Sequence, residues 1–190
     1  MRLKTKIASA LLGLAALPAA AWAAIIGGAY YAPQYDYREF FAAADGRNWQ
    51  VILLGTPSLP GADPATVARD LLPMMQAAKP RPAMTFTYAD PPERPRPYYR
   101  LVLTFDPAND YGSNSVCAGV PPRFRPGRPG IFYVFAVYCR NDQVLSETTA
   151  YTAANGPTDP RVGELFRELF QVVWSDSPAL RPQQGGTDRR

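Results

Sequence analysis

Proline punctuates this chain: 21 of its 190 residues are proline, about twice the usual share of roughly 5%. Each one fixes a backbone angle and withholds an N–H donor, so regular structure stops or bends where it falls. The expected product is a set of short elements joined by stiff loops. An apolar share of 47% still allows a real core, and the length suits one domain of ordinary size.

Between the prolines, periodicity predicts the elements. Asp36 can cap a short helix over 37–44, with Gly46 just past its end. Trp49–Leu54 is an apolar, β-branched run that reads as a buried strand. Asp63-Pro64 pairs an N-cap with proline at the first helical position, opening a helix through Val67, Leu71 and Leu72. Pro73 is expected to kink or end it. Met84–Ala89 and Tyr98–Phe105 read as strands, separated by an extended linker from Asp90 to Pro97. Ile131–Cys139 and Val144–Tyr151 form a hairpin about a polar turn at 140–143. Its first strand is apolar on both faces and fits a central position. The second, with Ser146 and Thr148 alternating against Leu145, Thr149 and Tyr151, fits nearer an edge.

Asp159-Pro160 opens the last helix, and Val162, Leu165, Phe166, Leu169, Phe170, Val173 and Trp174 fall on one stripe. That stripe suits packing on the domain's own sheet. The expected fold is α+β, a mostly antiparallel sheet of about five strands with two to three helices, in the order α-β-α-β-β-β-β-α.

The N-terminus has the three-part plan of a secretory signal. Arg2, Lys4 and Lys6 precede an apolar run from Ile7 to Leu17, Pro18 ends it, and Ala-x-Ala patterns allow cleavage after Ala21 or Ala23. The rival is an uncleaved anchor, because no charge occurs from Ile7 to Tyr35. The predicted organisation is a signal over 1–23, a linker over 24–35, one domain over 36–176 and a disordered tail over 177–190. The formal charge of +4 shrinks with that signal: without its three basic residues, 17 of the 20 remain against 16 acids. A near-neutral domain has no global field for nucleic acid or anionic membrane.

Histidine is absent, which removes the commonest general base and metal ligand. Cys117 and Cys139 are the only cysteines. In an exported domain they read as one disulfide rather than a metal pair, contributing on the order of 3 kcal/mol by loop entropy. The loop from Asp106 to Asn114 is rich in oxygen ligands, but its spacing does not fit a calcium loop. Asp106 with Glu147 could make a carboxylate pair for glycoside hydrolysis, though nothing in the sequence makes them face each other. Ser58 lies in no nucleophile elbow, and Gly27-Gly28 and Gly185-Gly186 form no phosphate loop. No cofactor motif is present, and no metal site is expected.

Two Pro-Arg segments remain, 91–97 and 121–130. In the second, Arg123, Phe124, Arg125 and Arg128 put cationic forks and an aromatic ring on stiffened backbone, which suits an anionic polymer or an envelope protein. The alternative is a solvated loop in an arginine-rich chain, with 17 Arg against 3 Lys.

The signal segment, Trp49–Gly55, and the stretch from Phe135 to Phe170 with Cys139-Arg-Asn-Asp and Gly156-Pro-Thr-Asp-Pro resemble small exported proteins of high-GC Gram-negative bacteria. That resemblance implies periplasmic residence and a disulfide, and carries no activity. The function expected from the sequence is a non-enzymatic envelope binding module. A small carboxylate-dependent hydrolase of envelope carbohydrate and a membrane-anchored accessory subunit are the alternatives.

Overall fold

A computed structural model describes residues 24–177. The proposed cleavage sites, the first 23 residues and the tail beyond 177 lie outside the described residues. Seven strands form one sheet: β1 (Ile25–Ile26), β2 (Tyr30–Tyr31), β3 (Asn48–Leu54), β4 (Thr85–Thr87), β5 (Tyr99–Phe105), β6 (Ile131–Arg140) and β7 (Gln143–Ala153). Their order is β1-β7-β6-β5-β3-β4, with β2 also on β7. Among the described residues four helices accompany them: α1 (Tyr37–Ala44), α2 (Pro64–Ala78), α3 (Ser113–Cys117) and α4 (Pro160–Val173).

The fold is α+β as expected, with seven strands and four helices among the described residues where about five strands and two to three helices were expected, and the largely antiparallel sheet is mixed. β3 lies parallel to both β4 and β5, whereas β5-β6, β6-β7 and the β1 and β2 pairings are antiparallel. The parallel β3–β4 pair is possible because α2 supplies the crossover that such a pair needs. β5 then takes the other side of β3, so the proline-rich segment must pass back over the sheet. Gln50 on β3 secures it at both ends. Its amide donates to Asp90 Oδ1 at 2.6 Å and to the Ala89 carbonyl at 3.3 Å, and its oxygen accepts from the Tyr98 hydroxyl.

Alternation divides the sheet into two buried faces. Trp49, Val51, Leu101, Leu103, Phe132, Val134 and Tyr138 point toward α1, α2 and α4 and join the main core. Val102, Phe135, Val137 and Cys139 point the other way, where Tyr111, Val116 and Cys117 cover part of them. The predicted α4 stripe is buried on the first face, from Val162 through Trp174. Its Asp159 cap accepts from the Arg161 backbone N–H at 3.0 Å.

Several elements depart from the sequence reading, α3 among them. α2 continues through Pro73 to Ala78, because Leu71, Met75 and Ala78 stay buried on one stripe. Burial of large side chains at roughly 1.5–3 kcal/mol each offsets a proline penalty of about 3 kcal/mol. β7 is internal, since Ile25–Ile26 and Tyr30–Tyr31 pair along its outer side. Residues 24–35 therefore supply strands, where a linker or the second half of a membrane span was expected. Ser146 and Thr148 face the helices, with hydroxyls donating to the Val173 carbonyl at 2.6 Å and the Gly27 carbonyl at 3.3 Å. Among the described residues no helix is long and apolar enough to cross a membrane.

Candidate functional site

The connection from β5 to β6 carries most of the residues singled out by sequence. It doubles back on itself: Ala108 N–H donates to the Arg123 carbonyl at 2.8 Å, and Arg125 N–H to the Asp106 carbonyl at 2.9 Å. This places the oxygen-rich loop directly against the arginine loop. Arg123 pairs with Asp110 at 2.6 Å, and Arg125 donates to Asn109 Oδ1 at 2.9 Å. Arg125 also lies 5.1 Å from the Tyr133 ring centre, and Arg128 lies 5.5 Å from that of Tyr151. Two segments that looked like separate ligand sites thus answer one another. The Arg123–Asp110 pair is exposed on both sides, so it contributes little stability.

Phe124 is half exposed, with its ring over Gly55. Gly55 has φ +76°, and a Cβ there would meet the ring at 2.6 Å. Only glycine meets both conditions without strain. Asp106 is buried and accepts from Ser58 Oγ at 3.0 Å, with Gly127 packed against both. Asp106 and Glu147 line separate hollows, the first with Arg125 and Tyr133, the second with Tyr30 and Asn114. They do not face each other. Among the described residues no group of three His, Cys, Asp or Glu is placed to hold a metal ion.

Cys117 and Cys139 are bonded, with Cα atoms 5.6 Å apart. The bond ties the last residue of α3 to the end of β6. With the buried Val116 it anchors α3, a single turn too short to persist alone.

Beside that anchor the second sheet face is left partly uncovered, and a cleft of about 470 Å³ opens there. Ile52, Leu54 and Val102 make an apolar floor from β3 and β5. Arg94, Pro95 and Arg96 of the proline-rich segment form one wall. The end of α3 with Gly119, Val120 and Pro122 forms the other. Asn141 and Asp142 close one end, held because Asn141 exchanges hydrogen bonds with the Tyr98 backbone at 2.9 and 2.7 Å.

Arg100 is the chemical centre of the cleft. Only 8% exposed, it donates to the carbonyls of Asn141 and Cys117, both at 2.5 Å. Its guanidinium sits 4.9 Å from the Tyr98 ring centre, and Arg94 approaches the same ring at 5.3 Å. No carboxylate pairs with Arg94, Arg96 or Arg100 among the described residues. Burial accordingly depresses the Arg100 pKa, with further lowering by Arg94, against support from Tyr98 and Asp142. Burial raises the Tyr98 and Tyr111 hydroxyls above the ordinary tyrosine value. The cleft therefore concentrates positive charge over an apolar floor.

Sequence reasoning noted Arg94 and Arg96 but passed over Arg100. The available signal was a lone charge inside the apolar run Tyr-Arg-Leu-Val-Leu-Thr-Phe, since buried arginine is rare unless something holds it. The predicted residues Arg123, Phe124, Arg125 and Arg128 lie outside the cleft lining, although Arg123 follows Pro122 of that lining and Phe124 lies on the glycine that follows Leu54. Compared with known protein families, curated proteins and solved structures, the chain matches none.

Proposed function

We propose that this is an exported, non-catalytic binding domain that takes an anionic partner in the arginine-lined cleft. The observation that carries the reading is Arg100, a buried cation opening on the cleft with carbonyl partners and no carboxylate in direct contact, Asp142 supporting it only from the end of the cleft. A buried charge with no ion pair of its own is unfavourable. An anion entering beside it restores the balance, with Arg94 and Arg96 as further donors. The titratable lining is three arginines, two tyrosines and Asp142. It offers no nucleophile–base pair and no facing carboxylates, which supports binding over hydrolysis. Export is supported by the N-terminal signal plan and by a disulfide of the kind kept in oxidising compartments. A partner in the bacterial envelope follows from that location.

Titration of the purified mature protein with inorganic phosphate and with acetate, followed by NMR, tests the reading. Resonances of Arg100, Val102 and Cys117 should move and saturate, and Arg94→Ala/Arg96→Ala should weaken the response. Shifts confined to Arg123, Arg125 and Arg128 would return the site to the loop first chosen from sequence. No saturable shift anywhere would end the anion reading.

A further inference from the structure

We infer that the ligand of this cleft is an aliphatic carboxylate, an acyl chain with its acid head at the arginines and its hydrocarbon on the floor. The inference rests on the anion-binding reading above and narrows it. An anionic polymer needs a long exposed cationic track, whereas these arginines ring a concave site of about 470 Å³, a size typical of small-molecule pockets. The floor of Ile52, Leu54 and Val102 is apolar, and Val120 and Pro122 extend it up one wall. A small mineral anion would leave that surface wet and unused. A hydrocarbon chain would cover it, at roughly 25 cal/mol for each Å² removed from water.

Main-chain hydrogen bonding separates a hydrocarbon from a peptide. β5 is paired by β3 and β6, and β3 is paired by β5 over Gln50–Leu54, with β4 on its other side only at Asn48–Gln50. The floor is the side-chain face of these strands rather than an edge, so a ligand lying on it meets side chains and not an open ladder. The walls include Pro95 and Pro122, which have no N–H to offer. The amides of an apolar peptide lying here would lose water without gaining partners. An acyl chain has no such groups. At the head, Arg100 keeps part of its fork free after bonding two carbonyls. Arg94, stacked on the same tyrosine, brings a second fork to that end. Two guanidinium groups beside one ring suit a planar carboxylate.

Calorimetric titration of the mature protein with hexanoate, octanoate and decanoate is the test. Decanol, acetate and a peptide ending in Val-Leu with a free carboxylate serve as comparisons. Affinity should rise roughly twofold to fourfold for each added methylene, the range between half and full burial. Decanol should bind at least about tenfold more weakly than decanoate, the loss expected for charge-assisted contacts. Arg94→Ala/Arg96→Ala should weaken decanoate by about tenfold with an unchanged thermal midpoint, since both side chains are exposed. Leu54→Ala should flatten the chain-length series. If acetate and phosphate bind but chain length has no effect, the acyl assignment falls and the anion site stands. A peptide binding more tightly than decanoate would also overturn the assignment. If no anion binds at all, both readings fail together.

Discussion

At the scale of single residues, Asp159 shows how much one carboxylate can organise. It caps α4, accepts from Asn155 N–H at 3.0 Å, and receives two donors from the Arg161 guanidinium at 2.9 and 2.6 Å. The Arg161 side chain is the main cause holding its carboxyl far below the usual range, with the backbone donors adding to it against partial burial. The folded state thus binds this proton less readily than the unfolded chain, whose value is near 3.8. The stability it confers is complete above about pH 4 and drains away as pH falls toward the depressed folded value. Asp159→Ala should cost about 1 kcal/mol at neutral pH by loss of the cap. The variant should also lose less stability than the parent between pH 4 and pH 2. Urea denaturation at pH 7, 4 and 2 measures both. A parallel decline of the two proteins with acid would show that Asp159 is not the titrating group.

Among the elements, α3 depends most on a covalent tie. The Cys117–Cys139 bond holds it on the sheet, and the Cys117 carbonyl is one of the two acceptors of Arg100. Cys117→Ser/Cys139→Ser should therefore do two things. Stability should fall by about 3 kcal/mol through loop entropy. Phosphate should also bind the cleft more weakly, because Arg100 loses a fixed partner while Arg94 and Arg96 remain. Urea denaturation and the NMR titration separate the effects. Full stability with free thiols would contradict the first, and unchanged phosphate affinity in a folded variant would contradict the second. The predicted loop of Arg123, Arg125 and Arg128 stands outside this linkage, its charges already engaged by Asp110, Asn109 and two tyrosine rings.

For the molecule as a whole, the proposed cleavage sites bear on folding. The proposed cleavage after Ala21 or Ala23 would leave β1, which begins at Ile25, intact on β7. Intact-mass measurement of envelope-recovered protein should show one of these two cuts. A chain begun at residue 36 would lack β1, β2 and the buried ring of Tyr31, which is only 1% exposed. It should aggregate during size-exclusion chromatography, because β7 would then present an unpaired edge. A monomeric, folded 36–177 fragment would show these strands to be dispensable. The same segment marks where reading residues in order stops working. α4 was recognisable because its cap, its proline and its 3.6-residue stripe are neighbours in the chain. The hairpin of β6 and β7 and the cysteine pair also declared themselves, through a short turn and a unique partner. Two-residue strands carry no such period; β1 and β2 exist because β7 offers them its backbone. The parallel placement of β4 and β5 about β3 likewise rests on pairing between distant segments. Arg100 became a site residue only when the turn at Asn141 and the end of α3 closed around it. Local periodicity and capping act within a few residues and can be read in order. Edge pairing, the uncovered sheet face and an unmatched buried charge are sums over segments far apart in sequence, and they arise only once those segments meet.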